Sequence, residues 1–294
     1  MGRSLAILVA ILIGLCVPSA EYFTFVIRYN LMVMLFFAFL EVKLSFRLFH
    51  RLHIFVAGLN LVLPLLLYFG LHQWQPATAE AVFAIASAPT AAAGPVIAGF
   101  LGAEVGFVTT AVLLTSPIVA LVLPITASTI LGGGAAVFSF WDIALPIASL
   151  IFIPLLGSLL LRKLWIKGAD VIRKYQFLSF RLFLINVFIA AAAASAYFRG
   201  QQSESVEVVA GIGVAITALC LFQFKLGEWL GHGHLPLETG LALGRKNTMF
   251  SLWLALTYFS PVAALGPIFY ILAQNLYNSW QIYHYRRSAA GSNP

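Results

Sequence analysis

Charge is what this sequence has least of. Asp, Glu, Lys and Arg make up 9% of its 294 residues, against 61% hydrophobic residues. A soluble domain of this length cannot cover its surface with so little polarity, which excludes the soluble globular classes. Acidic residues are scarcer than basic ones, 10 against 17, and leave a net charge of +7. The basic residues sit in small clusters between apolar runs rather than along one exposed face, which argues against a nucleic-acid partner and for membrane topology. Cysteine is almost absent. Cys16 and Cys220 both fall inside apolar stretches, so they cannot found a disulfide framework or a cysteine metal site, and both read as packing residues.

What is present is a succession of apolar runs of about 20 residues, the length that crosses the hydrocarbon of a bilayer. The spans fall at 4–20, 24–41, 53–70, 78–101 and 105–127, then at 140–162, 177–198, 206–227, 237–258 and 262–284. The Gly132-Gly133-Gly134 joint separates them into five and five, as halves 1–130 and 131–294. Five is odd, so the second half enters the membrane from the opposite face. The expected fold is an all-α polytopic membrane protein of ten transmembrane helices in two inverted five-helix repeats, an architecture common among secondary transporters. Arg3, the apolar run from Leu5 to Val17 and Pro18-Ser19-Ala20 also fit a cleaved signal peptide. Its removal would leave nine spans and spoil the match between halves, so a retained helix is expected.

Lys43, Arg47 and Arg51 follow the second span, Arg162, Lys163, Lys167, Arg173 and Lys174 follow the sixth, and Arg286 and Arg287 follow the tenth. The other joints hold mainly Arg199, Glu204 and Glu207. Because Lys and Arg accumulate in cytoplasmic loops, both termini are expected to be cytoplasmic, in a cell membrane or a bacterial inner membrane.

Two spans carry signals against a continuous helix. The fourth contains Ala88-Pro89-Thr90-Ala91-Ala92-Ala93-Gly94-Pro95, and Pro89, Gly94 and Pro95 predict an unwound segment in mid-membrane. In the corresponding place of the second half, the ninth span has Gly240 and Gly244 ahead of Arg245-Lys246-Asn247-Thr248. Unwound backbone at that depth must be buried in protein or line a water-filled cavity, and paired interruptions point to a binding site. The fourth-span amides near Ala92 and Ala93 are placed to hold a carboxylate or sulfonate, as a helix N-terminus does. Arg245 and Lys246 are adjacent cations deep in a span, where each costs at least about 2.5 kcal/mol. Neighbouring helical side chains point about 100° apart, so one is expected to face the cavity and the other an internal partner. Glu21, Glu41, Glu80, Glu104, Asp142 and Glu238 all lie near span ends, so no counter-ion is evident.

In order along the chain, several segments resemble the bile acid:sodium symporter family. Leu35 to Leu40 is similar to an apolar stretch that ends there in Gly-Leu, with Phe39 where the glycine would be. Leu63-Pro64-Leu65 resembles a Met-Pro motif. Ala88 to Pro95 resembles the fourth-helix Cys-Pro-Gly-Gly-Thr-x-Ser-Asn, Glu104 an acidic start to the fifth helix, and Leu243 to Thr248 the ninth-helix Val-Gly-Met-Gln-Asn-Ser. Ile268-Phe269 through Gln274-Asn275 resembles the tenth helix. The resemblance implies a core domain of spans three to five and eight to ten, a panel domain of spans one, two, six and seven, and broken helices four and nine crossing at the centre. It also implies that Asn247, Gln274, Asn275 and, less directly, Arg245 contact substrate.

The sodium ligands of that family are largely replaced. Gly94 and Pro95 stand for a Ser-Asn pair, Val108 and Val112 for hydroxyls, Ala242 for a glutamate, Lys246 for a glutamine and Leu59, beside Asn60, for another glutamine. Hard cations need oxygen ligands, so the ammonium of Lys246 is expected to stand where a sodium ion would. Desolvation disfavours a buried charge, which gives such a lysine a route to carrying a proton. The expectation is a sodium-independent carrier of a small organic anion working by alternating access in a lipid bilayer. Proton coupling, exchange and uncoupled transport stay open, and no cofactor, metal or enzymatic activity is expected. The rival readings are a sodium-coupled symporter, a membrane sensor without net transport, and a membrane hydrolase using His232-Gly233-His234 near Glu238 as a metal cluster.

Overall fold

The computed structural model describes residues 2–41, 49–131, 139–200 and 205–291. The Gly132-Gly133-Gly134 joint, Lys43, Arg47 and Glu204 lie outside them. Among the described residues the chain is helical, with no strand: α1 (Gly2–Cys16), α2 (Thr24–Glu41), α3 (Arg51–His72), α4 (Pro76–Ala86), α5 (Gly94–Leu101), α6 (Val105–Leu131), α7 (Phe140–Leu164), α8 (Ile166–Arg173), α9 (Phe177–Arg199), α10 (Val206–Leu230), α11 (Pro236–Gly244), α12 (Thr248–Tyr258) and α13 (Leu265–Gly291). Short 3₁₀ turns at Pro18–Phe23 and Pro261–Ala264 lead into α2 and α13. The segments Pro18–Glu41, Arg51–His72, Val105–Ile130, Phe140–Leu164, Phe177–Arg199 and Val206–Leu230 are long and apolar enough to cross a membrane. The outer surface carries large apolar side chains, with Leu66, Leu121 and Val214 all more than 60% exposed. This is the architecture of a helical membrane protein.

Local chemistry sets the ends of these helices. Ser139 caps α7 and the Asp142 carboxylate accepts from the Ser139 amide at 3.0 Å, a reciprocal cap that satisfies two orphan donors. Pro76 and Pro236 open α4 and α11, where a missing N–H costs nothing. Proline also shortens the first span: α1 ends at Cys16, and Pro18 begins a tighter turn instead of helix to residue 20. Cys220 is fully buried, but Cys16, at the end of α1, is exposed and does not pack the core as expected. The basic stretch after the sixth span is not simply a joint either. It forms α8, where Arg173 pairs with Asp170 at 2.9 Å and donates to the Leu40 carbonyl at the end of α2 at 3.1 Å.

The helices pack in two groups. In one, α1 lies on α9, α2 on α7 and α9, and α8 on α7. In the other, α3, α4, α6, α10, α11 and α13 surround one another, with α5 on α6 and α12 on α13. The groups meet where α6 packs on α7 and where α12 touches α2 and α9. The interrupted helices are the most deeply buried. Every residue of α4 from Ala81 to Ala86 is buried, as is every residue of α11 from Glu238 to Gly244.

Candidate functional site

The two interruptions meet. Pro89 has no amide proton and biases Ala88 away from helical torsions, so α4 ends before it. On the other side Arg245 is extended, with φ −90° and ψ 101°, directly after Gly244. Thr90 and Lys246 then pair as an antiparallel bridge. The Ala91 amide donates to the Arg245 carbonyl at 2.8 Å, and the Asn247 amide donates to the Pro89 carbonyl at 2.9 Å. Each break thus satisfies backbone groups that the other leaves without a helical partner, which hydrocarbon would not. Thr90 fastens the crossing further. Its hydroxyl donates to the Ala242 carbonyl at 2.6 Å, and its amide donates to Thr115 Oγ1 at 3.1 Å.

Lys246 is 1% exposed. Its Nζ donates to Asn60 Oδ1 in α3, to the Ala86 carbonyl at 2.9 Å and to the Ala88 carbonyl at 3.2 Å. The ammonium is therefore held by neutral oxygens, much as a bound cation is held by carbonyl dipoles. Arg245 is 8% exposed and turns the other way, donating from NH1 to Asn278 Oδ1 on α13 at 2.7 Å, while its buried Nε has no hydrogen-bond partner. The expectation that one of the two cations faces a cavity is corrected here: both are buried and bonded to internal amides. The extended backbone lets adjacent side chains diverge to different helices.

The other expected residues fall around this crossing unevenly. Asn247 caps α12, its Oδ1 accepting from the Phe250 amide at 3.2 Å. Ala93 is the exposed residue that precedes α5, Ala92 is half-buried beside it, and Pro95 opens that helix just after the buried Gly94. Gly240 and Gly244 serve close packing: a Cβ on Gly244 would run into the Phe224 ring, and one on Gly240 would lie 2.8 Å from Glu228. Gln274 is buried with its Oε1 unpartnered. Asn275 is half-buried, and its carbonyl accepts from the Ser279 hydroxyl at 2.8 Å. Arg245 reaches neither of these two but the residue one turn beyond Gln274.

Asn278 is one of the residues the sequence reading does not single out. Tyr270 is another, its hydroxyl lying 2.6 Å from the Gly244 carbonyl and 2.8 Å from the Gln223 side-chain amide. A lone amide inside an apolar run is the signal for Asn60, whereas Asn278 stands among Gln274, Asn275, Ser279 and Gln281 and has no such signal. The carboxylates near span ends do structural work. Glu80 accepts from the Ser260 amide at 3.1 Å and hydroxyl at 2.5 Å, and Glu238 accepts from the Glu104 amide at 2.7 Å. His232 and His234 flank Gly233, whose φ of +84° makes the turn between α10 and α11. Among the described residues no three His, Cys, Asp or Glu side chains gather as a metal site. No protein-family model matches this chain, and no curated protein matches it.

Proposed function

We propose that this protein is a secondary transporter of a small organic anion, working by alternating access, with the ammonium of Lys246 taking the place of a coupling sodium ion. The observation that carries the reading is the position of that ammonium, between Asn60 Oδ1 and the Ala86 and Ala88 carbonyls, where two broken spans cross. Crossed breaks at membrane depth are how transporters expose backbone dipoles to a solute. On this reading the chain resembles the bile acid:sodium symporter family. The group containing α3 to α6 and α10 to α13 is its core domain, and α1, α2, α7 and α9 form its panel.

Ten spans in two inverted repeats, 1–130 and 131–294, are supported by matched pairs of contacts. The packing of α1 on α9 answers that of α2 on α7, and that of α3 on α4 answers α10 on α11. Glu80 near the start of one broken span holds Ser260 ahead of α13, as Glu238 in the other holds Glu104 ahead of α6. Substrate contacts are assigned to the amides at Ala92 and Ala93, to Asn247, Gln274 and Asn275, and to the field of Arg245. Both termini face the cytoplasm. A proton is the remaining candidate for coupling.

The test is uptake of a panel of radiolabelled organic anions into proteoliposomes under separate sodium and proton gradients, comparing the native protein with Lys246→Gln. Uptake independent of sodium and impaired in the variant is the expected result. Sodium-driven uptake by the native protein would refute the internal cation and favour a sodium-coupled symporter. Ligand binding with no flux would favour a sensor.

A further inference from the structure

A second concentration of charge lies at the corner where α7 ends and α8 begins. α7 runs to Leu164 in a segment long and apolar enough to cross a membrane, and α9 starts another at Phe177. The eight residues of α8 between them span only about 12 Å and include Lys167, Asp170 and Arg173, so they cannot cross and lie at the membrane–water interface. Arg162, Lys163, Lys167, Arg173 and Lys174 crowd into this corner, and Asp170 is the only acidic residue between Asp142 and Glu204.

The corner is a fixed turn. Trp165 breaks the helix with φ −148° and ψ 74°, yet its amide still donates to the Leu161 carbonyl at 2.8 Å and its own carbonyl accepts from the Ala169 amide at 3.0 Å. Its indole covers Gly168 so closely that a Cβ there would lie 2.2 Å from the ring. Gly168 and Ala169 are buried, which turns the exposed Lys167, Val171 and Lys174 outward as one row at i, i+4 and i+7. Beside that row Leu164, Trp165 and Ile166 are 78%, 62% and 68% exposed. The one carboxylate is spent on Arg173, at 2.9 Å. Among the described residues no carboxylate pairs with Lys163, Lys167 or Lys174.

An exposed apolar ledge beside unpaired ammonium groups matches a bilayer surface, whose acyl chains take the first and whose headgroup phosphates take the second. Tryptophan favours that boundary, where its ring meets hydrocarbon and its N–H stays wet. We infer that the α7–α8 corner binds the phosphate of an anionic phospholipid headgroup, with Lys163, Lys167 and Lys174 holding the charge and Trp165 and Ile166 seated in the acyl boundary. An acidic protein would have to cover the same ledge against the lipid that α7 and α9 already bring beside it. Arg173 extends the effect: donating to the Leu40 carbonyl at the end of α2, it ties an occupied α8 to α2 as well as to α7. The inference rests on the membrane architecture and not on the transport reading.

The test titrates the delipidated full-length protein in dodecyl maltoside at low salt with phosphatidylglycerol or phosphatidylcholine, and counts retained lipid by native mass spectrometry. Phosphatidylglycerol is expected to bind saturably and more tightly than phosphatidylcholine. Lys167→Gln with Lys174→Gln should weaken phosphatidylglycerol by about 25-fold, fivefold for each cation, and leave phosphatidylcholine unchanged. Lys167→Arg with Lys174→Arg should keep the preference. Removing the same charge elsewhere, with Arg51→Gln and Lys225→Gln, should change the affinity by less than about twofold, since charges beyond a Debye length are screened. Equal losses from the two Gln pairs would overturn the site by reducing it to net charge, and so would equal binding of the two lipids by the native protein. Displacement of phosphatidylglycerol by equimolar glycerol 3-phosphate would also overturn it, by making a free phosphate the occupant. Transport plays no part in any of these outcomes, so the transport reading stands or falls separately.

Discussion

Between Ala86 and Gly94 a helix is interrupted by proline, threonine and alanine, with no charge; between Gly244 and Thr248 another is interrupted by arginine, lysine and asparagine. The uncharged break supplies acceptors, for its carbonyls at Ala86, Ala88 and Pro89 all accept hydrogen bonds from the charged one. The charged break supplies most of the donors. The difference teaches how a cation is kept in an apolar core without a carboxylate. Carbonyls released by a broken helix replace the water it has lost, so the penalty for burying the charge is met by dipoles that would otherwise be unsatisfied.

The sharpest way to break this comparison is to remove the amide that completes the cage. Asn60→Leu leaves the Lys246 ammonium short of a partner and is expected to destabilise the protein by about 3 kcal/mol, read from denaturant unfolding in mixed micelles. Adding Lys246→Met to Asn60→Leu should recover part of that loss, because the unpaired charge goes with it. A double variant less stable than Asn60→Leu alone would mean that the ammonium is not what the cage accommodates. Next in size is Asn278→Leu, which takes the NH1 partner from Arg245 and should cost about 1.5–3 kcal/mol in the same measurement.

Gly244→Ala against Gly94→Ala sharpens the comparison by packing alone. A methyl group on Gly244 collides with the Phe224 ring, while one on Gly94 meets Val108 Cγ1 at 3.0 Å and otherwise only ordinary contact. The first should cost about 1–3 kcal/mol and the second visibly less, as thermal unfolding midpoints would report. The smallest expected effects are Glu80→Ala and Glu238→Ala, each about 1–2 kcal/mol. Similar losses from the two would support the proposed inverted repeat. A large inequality would weaken it.

The interruptions themselves are legible in the sequence, because Pro89, Pro95 and Gly244 act on their own neighbours through torsion and missing donors. What the interruptions touch is not. Asn60 lies 186 residues from Lys246, and no local period encodes that meeting. Asn247 illustrates a different limit: its identity fits a ligand contact and a helix cap equally well, and the structure spends its Oδ1 on the cap. The helical class follows from composition, whereas the division into two packing groups depends on contacts between distant helices.

The bridge between Thr90 and Lys246 also bears on how the chain is made. Ala86 and the lysine whose ammonium its carbonyl accepts are 160 residues apart. At a synthesis rate of about 5–20 residues per second, the first break waits roughly ten to thirty seconds for its partner. During that interval its backbone groups have no mate from the second half, and hydrocarbon offers none. Maturation of the first half is therefore a holding problem: an insertion site must shelter an incomplete crossing until α11 and α12 arrive.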